Sequence, residues 1–421
     1  MDALFATVDW NNISPVPLGQ LTWTVWFLIA LALVFDFLNG FHDAANSVAT
    51  VVSTRVLSPQ VAVVWAAFFN FIAFLVFSLS VAATMGTGII DPGIVNHRVI
   101  AATLLAACFW DILTWYWGLP TSSSHALIGG MIGAGVMEAG LPALKWDGIG
   151  RTVLFIVLAP LIGYAIGTAI AVAVAWGFRH VRPRLVDQVF RRGQLLSASL
   201  YSLGHGANDA QKTMGIIFLL LLTATRESAD WQERFHLDDK AFKTLQADAK
   251  RPPEEVLEKL KSLKDQKFSR QVQFEKAVSE TLSSEERTAY RAEIVKAADH
   301  ASVPVEVVLA CHIAMGVGTL FGGWRIVKTM GQRIIKLRPV DGFCAETGAA
   351  STLILTIFLG VPVSTTHTIT GSIVGASSTL QRWSAVRWGV AGRVVWAWVL
   401  TIPGTAIVAV LFWWALPFLK E

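Results

Sequence analysis

Long apolar stretches, separated by short polar breaks, dominate the chain. The stretches lie at residues 21–38, 62–84, 99–117, 152–176, 303–324, 343–358 and 394–419. An α-helix rises about 1.5 Å per residue, so runs of about this length cross the roughly 30 Å hydrocarbon core of a bilayer. The strict alternation that marks a membrane β-barrel is absent from the sequence. The pattern predicts an all-α polytopic membrane protein, and we expect about 10–12 transmembrane segments.

The composition agrees with a membrane protein. The chain has 421 residues, of which 54% are hydrophobic and 15% are charged, whereas soluble domains carry about 25% charged residues. Nearly half of the charges fall between residues 226 and 299, so we expect residues 223–300 to form a hydrophilic, helical or partly disordered loop. The net charge of +4 indicates basic cytoplasmic loops rather than a nucleic-acid partner.

Two of the polar breaks carry acids, amides and histidines. They are residues 39–47 (Asn-Gly-Phe-His-Asp-Ala-Ala-Asn-Ser) and 205–213 (His-Gly-Ala-Asn-Asp-Ala-Gln-Lys-Thr). Even the most lenient scale gives an unpaired charge at membrane depth a cost of about 2.5–3.5 kcal/mol. A cluster of this kind that occurs twice indicates a function.

Two other breaks are rich in hydroxyls. They are residues 118–125 (Gly-Leu-Pro-Thr-Ser-Ser-Ser-His) and 360–367 (Gly-Val-Pro-Val-Ser-Thr-Thr-His). Proline disfavours helix for the residue before it, and hydroxyls cap the helix that follows. Helix N-termini with added hydroxyl donors suit an anion with several acceptor oxygens. The alternative is that these hydroxyls only cap the helix or bond back to its carbonyls.

The order of these breaks is the same in both halves of the chain. Asp43 aligns with Asp209, 166 positions later, and His125 aligns with His367, 242 positions later. The two spacings differ by 76 residues, close to the length of the hydrophilic loop. Matching interrupted helices in duplicated halves point to a transporter's substrate site.

The candidate site residues follow from these motifs. For the anion we expect Thr121, Ser122, Ser123, Ser364, Thr365, Thr366 and Lys212. For a coupling cation or proton we expect Asp43, Asn46, Asn208, Asp209 and Glu346, with Asn39 as a further neutral oxygen. Hard oxygen ligands suit sodium, magnesium or calcium rather than zinc. A purely structural role for paired aspartates is the alternative, and Lys212 is expected either to attract the anion or to neutralise Asp209.

No resident metal, cofactor or catalytic residue is expected. The three cysteines have no CxxC spacing, and the histidines lack HxH and HExxH spacing, so neither pattern predicts a zinc site. Adjacent Ser124 and His125 point in different directions on a helix. An enzyme acting on a phosphorylated lipid is therefore the weaker hypothesis.

With both motif pairs in view, the chain resembles the PiT family of inorganic phosphate transporters. The segments that carry the resemblance are Gly-Phe-His-Asp-Ala-Ala-Asn-Ser, His-Gly-Ala-Asn-Asp-Ala-Gln-Lys and Gly-Val-Pro-Val-Ser-Thr-Thr-His. It implies secondary transport of phosphate by two inverted repeats with broken or re-entrant helices. The repeats would be residues 1–192, and residues 193–222 with 301–421, with the loop 223–300 in the cytoplasm.

The variant Phe41-His42-Asp43, where the family more often has Ala-Asn-Asp, is similar to the bacterial low-affinity branch. That resemblance implies coupling to a proton rather than sodium, and uptake of neutral Mg²⁺– or Ca²⁺–phosphate complexes. We therefore expect a multi-pass symporter in the plasma (inner) membrane, with phosphate, the coupling cation and lipid as partners and a homodimer as one option. The rival hypothesis is a passive anion channel.

Overall fold

The computed structural model describes residues 21–77, 81–82, 85, 88–224, 235–237, 239–247, 251–264, 266–268, 271–287, 289–290, 294, 303–359, 361 and 363–419. The chain divides into two compact units. The larger is made of residues 22–221 and 305–421, and the smaller consists mainly of residues 222–304.

The larger unit is mainly helical in its described part. Its first six helices are α1 (Trp23–Ser53), α2 (Pro59–Ile72), α3 (His97–Trp117), α4 (Ser123–Ala139), α5 (Trp146–Gly177) and α6 (Pro183–Ala224). The smaller unit has α7 (Asp239–Ala247), α8 (Glu254–Leu260), α9 (Gln271–Thr281) and the antiparallel strands β1 (Phe235–His236) and β2 (Lys267–Phe268). The larger unit continues with α10 (Val305–Phe321), α11 (Trp324–Lys328), α12 (Pro339–Phe358), α13 (Thr365–Leu380) and α14 (Trp388–Ala415).

Short helical turns join these elements. The 3₁₀ turns are Ala73–Leu75, Pro92–Ile94, Leu141–Ala143, Lys261–Leu263, Trp383–Ala385 and Pro417–Leu419, and Thr329–Arg333 is a π-helix. The residues at the two ends of α3 explain where this helix begins and ends. Asn96 caps its start by accepting from Val99 N at 2.9 Å, and Gly118 ends it with a φ of 66°.

Four of the described helices are long and apolar enough to cross a bilayer: α1, α3, α5 and α14. A fifth span results if α10 is joined to Trp324–Arg333, from which it is bent by 60°. Helices α5 and α14 expose large apolar side chains such as Leu161 and Ile407, as lipid-facing helices do. The expected all-α polytopic membrane fold is confirmed. The expected total of about 10–12 transmembrane segments stays a prediction.

Packing in the larger unit repeats with the spacing seen in the sequence. Helix α4 packs on α3 and α14, and its counterpart α13 packs on α12 and α5. A Cβ at Gly129 would meet the carbonyl oxygen of Ile402, and one at Gly371 would meet that of Pro160. Gly129 and Gly371 are 242 positions apart, and so are Pro160 and Ile402. A long helix of each half therefore packs on the hydroxyl-bearing helix of the other half.

Helix α6 differs from the sequence expectation. The sequence resemblance places the boundary between the two repeats after residue 192. In the structure, α6 runs without interruption from Pro183 to Ala224 over 42 residues. Its arginines thus lie on the same helix as the second acid-bearing break.

The smaller unit has a hydrophobic core of its own. Leu237, Leu245, Leu260, Phe274 and Val278 are all buried in one cluster. On its surface, Lys259 donates to Glu286 at 2.7 Å. The described part of the predicted hydrophilic loop is therefore a folded unit of helices and a two-stranded sheet.

Candidate functional site

Both acid-bearing breaks lie inside helices rather than between them. Asp43 is on α1 and Asp209 is on α6, and their side chains are almost completely buried. One ligand atom each of Asp43, Asp209 and His205 lies within 4.8 Å of the others. Two acids that are 166 positions apart in the sequence therefore meet in one buried cluster.

The two hydroxyl-rich breaks start helices in the same way. Ser122 caps α4 by accepting from His125 N at 3.3 Å, and Ser364 caps α13 by accepting from His367 N at 3.2 Å. The rings of His125 and His367 lie 4.8 Å apart. The two helix N-termini therefore begin side by side, and the two serines have the capping role that was the alternative to direct ligand binding.

Hydrogen bonds join the hydroxyls of α13 to both acids. Thr365 donates to Asp209 Oδ2 at 3.0 Å, and Thr366 donates to Asp43 Oδ1 at 3.4 Å. Asn46 donates to Thr366 at 2.9 Å and to Thr365 at 3.3 Å. The helix start in the second half thus contacts α1 and α6 at the same point.

Lys212 connects the first hydroxyl break to this cluster. Its ammonium lies 2.5 Å from Asp209 Oδ1, donates to Val363 O at 2.9 Å and donates to the hydroxyl of Ser124. It neutralises Asp209, as one of the two sequence readings expected. It also lies at the N-terminus of α4, where an anion would be attracted.

Thr121 contacts the cluster through His42. The His42 ring lies 2.9 Å from Asp43 Oδ1 through Nδ1 and 3.1 Å from Thr114 Oγ1 through Nε2. Thr121 donates to Thr114 at 3.0 Å and lies 3.5 Å from His42 Nε2. Because His42 bridges Asp43 and two hydroxyls, it fixes the orientation of that carboxylate.

Trp398 of α14 holds the two hydroxyl breaks together. Its indole donates to Pro120 O at 2.9 Å, and its ring stacks on His367 at 3.9 Å. A single side chain therefore contacts the first-half break and the histidine of the second-half break. Gly360 and Pro362, which belong to the second hydroxyl-rich break, lie outside the described residues.

Several buried polar atoms at this point have no hydrogen-bond partner in the described part of the chain. They are Asn46 Oδ1, Asn208 Oδ1 and Ser123 Oγ. The amide nitrogen of Asn208 donates to Asp209 Oδ1 at 3.0 Å and to Val363 O at 2.9 Å. Buried polar atoms are normally paired, so these oxygens mark where a ligand would bind.

Glu346 lies in a different cluster. It accepts from Gln194 at 3.0 Å and from Ser197 at 2.5 Å, and Gln194 in turn accepts from Thr54 at 2.9 Å. None of these partners belongs to the four motifs. The structure therefore brings together the predicted residues of the motifs but not Glu346.

Some residues at the site were not predicted from the sequence. Thr114 and the carbonyl of Val363 bind motif residues directly. Thr114 lies outside the four breaks, and the Val363 carbonyl is a backbone group that its side chain does not identify. Asp36 on α1 accepts from Thr213 on α6 at 2.8 Å. The sequence could have identified Asp36, because it is an acid within an apolar run, seven positions before Asp43.

The charges suit joint binding of an anion and a cation. Two carboxylates face one ammonium, so the acids alone favour an added positive charge. Hydroxyls and amides from both halves converge at the start of α13, and donors at helix N-termini favour an oxyanion. The arrangement can hold opposite charges a few ångströms apart.

Comparison with known proteins identifies the group to which this arrangement belongs. The Phosphate transporter family matches residues 39–185 and 178–409, which is most of the chain. The chain belongs to the phosphate transporter family. All the candidate site residues lie within the matched segments.

Individual members of the phosphate transporter family are also similar. A probable low-affinity inorganic phosphate transporter of Rhizobium meliloti (strain 1021) is 47% identical over 388 residues, which is 92% of this chain and 95% of that protein. One of Bacillus subtilis (strain 168) is 34% identical over 92% of this chain and 96% of its own length. The low-affinity inorganic phosphate transporter PitA of Escherichia coli (strain K12) is 28% identical, over 93% and 97% respectively.

A solved structure titled "The sodium-dependent phosphate transporter" has a similar fold. It has a TM-score of 0.67 and 20% sequence identity, and the match covers 94% of this chain and all of that one. At that identity the likeness concerns the fold alone. The resemblance drawn from the motifs and the predicted fold class are confirmed.

Proposed function

We propose that this member of the phosphate transporter family is a secondary active symporter that imports inorganic phosphate with a cation, with a proton favoured over sodium. The observation that carries the proposal is the contact of Thr365 and Thr366 with Asp209 and Asp43. Hydroxyls suited to an anion and acids suited to a cation are hydrogen-bonded to each other in one buried cluster.

Phosphate would bind where the two helix N-termini meet. Ser123, Thr365 and Thr366 offer hydroxyls there, and Thr121 lies beside them through its contact with His42. Lys212 adds a positive charge at the start of α4. Ser122 and Ser364 would act indirectly, because their hydroxyls hold the caps that leave the helix amides pointing at the anion.

The coupling ion would bind at Asp43 and Asp209, with Asn46 and Asn208 supplying neutral oxygens. A proton is favoured because it needs only one carboxylate oxygen, whereas donors that include His42, Lys212 and two threonines already bind Asp43 Oδ1 and both oxygens of Asp209. A sodium ion would need several oxygens freed from these bonds at once. A divalent cation entering as a neutral complex with phosphate would use the Asp43, His205 and Asp209 set, which has carboxylate and imidazole ligands.

The basic residues suggest an orientation in the plasma membrane. Arginines at 179, 182, 184, 191 and 192 lie just before or within the first turns of α6, and further basic residues follow α10 between 325 and 338. Basic residues next to membrane helices favour the cytoplasmic side. We assign the loop at residues 223–300, which forms most of the smaller unit, to the cytoplasm on this ground.

The test is uptake of radiolabelled phosphate by proteoliposomes under an imposed proton, sodium or magnesium gradient, each applied separately. Wild type should accumulate phosphate above the external concentration with the proton gradient. Asp43→Asn should abolish accumulation, and Asp187→Asn, which removes an exposed carboxylate on α6, should not. Flux that only equilibrates phosphate, whatever gradient is imposed, would indicate the passive channel and refute the symporter.

A further inference from the structure

A second polar position lies on α1, away from the cluster described above. Asp36, Asn39 and Asp43 are spaced i, i+3 and i+7, so they share one face of the helix. Their exposed fractions are 0%, 1% and 2%. Asp36 lies about 10 Å from Asp43 along the helix axis. A line of polar side chains therefore continues from the proposed coupling site through an otherwise apolar segment.

Helix α6 contributes a matching position. Thr213 follows Asp209 by four residues, one helical turn, and donates to Asp36 Oδ1 at 2.8 Å. The Thr213 side chain is fully buried. The same two helices that bring Asp43 and Asp209 together thus meet a second time at Asp36 and Thr213.

Within the described residues, two buried acceptor oxygens at the second meeting point lack a donor. Asp36 Oδ2 and Asn39 Oδ1 are both buried and make no hydrogen bond of acceptable geometry in the described part of the chain. Asn39 and the thiol of Cys311 lie beside the carboxyl. A proton on Asp36 would remove the charge and provide an O–H donor. A thiol is a poor ligand for a hard cation such as sodium, so the chemistry fits a proton.

The acid occurs in only one of the two halves. The positions related to Asp36 and Thr213 by the 166-residue spacing are Ser202 and Ser47. Both are buried hydroxyls that carry no charge. A proton site here would therefore have its acid in the first half only. It would lie on one path to the cluster of Asp43 and Asp209. The equivalent place in the other half serves as an internal control.

We propose that Asp36, together with Asn39 and Thr213, binds the proton that travels with phosphate, in series with Asp43 and Asp209. The proposal rests on the proposed symport function and names the group that carries its coupling ion. The ionisable groups facing Asp36 are Cys311 from α10 and Asp209 from α6, and Asp43 lies on its own helix. Uptake should therefore fall as rising pH removes the proton from Asp36.

The first test separates coupled uptake from exchange. Asp36→Asn resembles the protonated acid, so phosphate–phosphate exchange in proteoliposomes should stay within about twofold of wild type, while proton-driven accumulation should fall at least tenfold. Ser202→Ala should change neither. Accumulation by Asp36→Asn at the wild-type level, or accumulation restored by a sodium gradient, would overturn the proposal. A wild type that accumulates no phosphate would instead refute the symporter.

The second test covers the case in which Asp36→Asn does not fold. Thr213→Val removes a hydroxyl that stabilises the ionised carboxylate, so the proton should be retained to higher pH. The pH of half-maximal uptake should rise by about 0.5–1 unit with the maximal rate preserved. A profile that coincides with that of wild type would contradict the role of Asp36, since no other described acid accepts a hydrogen bond from Thr213.

Discussion

Thr365 donates to Asp209 and its neighbour Thr366 donates to Asp43, so adjacent hydroxyls on α13 each bind one of the paired acids. A threonine hydroxyl has one proton to donate, so it cannot serve a carboxylate and phosphate together. A cation or proton on the acids would release these hydroxyls for the anion. Binding of the two ligands is then linked, and by reciprocity each should increase affinity for the other.

This linkage predicts a pH-dependent affinity for phosphate. Lowering the pH should tighten phosphate binding by at least about fivefold, because the proposed coupling proton, once bound, would release the hydroxyls. Titration calorimetry on the purified protein, with sulfate as the comparison anion, checks this. Equal affinity across the pH range, after correction for the charge of phosphate itself, would count against the linkage.

The hydroxyl of Thr366 should matter in a way that other hydroxyls on α13 do not. Thr366→Val keeps the shape and removes the donor, so the KM for phosphate should rise about tenfold or more. Thr379, on the same helix, bonds only to Gly375 O in the described part of the chain, at 2.8 Å. Thr379→Val is the matched control and should leave KM within about twofold. Equal effects of both substitutions would refute the assigned role.

The buried pair of Lys212 and Asp209 should behave as a unit. Removing one partner leaves an uncompensated buried charge, so Lys212→Met and Asp209→Asn should each lower the free energy of unfolding by about 3–5 kcal/mol. The double variant should lose less than the sum of the two. Unfolding in a denaturing detergent titration gives the free energies for this double-mutant cycle. If the losses from the two single variants simply add in the double variant, the two charges do not interact.

Close packing between the halves predicts that two glycine-to-alanine substitutions have different effects on stability. A Cβ at Gly371 would clash with the carbonyl of Pro160, whereas a Cβ at Gly392 on α14 meets nothing within 4 Å. Gly371→Ala should therefore destabilise the protein by about 1–3 kcal/mol. Gly392→Ala should be neutral or stabilising by up to about 1 kcal/mol. Thermal unfolding measures both, and a harmless Gly371→Ala would contradict the packing.

Glu346 should support stability rather than coupling. Its two oxygens accept from Gln194 and Ser197 on α6, so Glu346→Gln weakens charge-assisted bonds by about 1.5–3 kcal/mol. Melting temperature should drop while the pH dependence of uptake stays unchanged. A shifted pH profile would return Glu346 to the coupling path, as the sequence suggested.

The sequence predicted the membrane fold, the repeat and the residues of the four motifs, because each leaves a periodic or compositional trace. A spacing of 242 positions for His125 and His367 reappears in the packing of Gly129 and Gly371. Partners supplied by backbone, such as Val363 O, leave no such trace. The contact between Lys212 and Ser124 depends on how the halves pack, and the core of the smaller unit was hidden by its many charged residues.

The central claim is that both halves build one phosphate site. Equilibrium binding of radiolabelled phosphate to the purified protein tests it most directly, using wild type, Ser123→Ala from the first half and Thr366→Val from the second. Wild type should bind one phosphate per chain, and each substitution should weaken that same site about tenfold or more. Two phosphates per chain, each sensitive to only one of the substitutions, would contradict the claim.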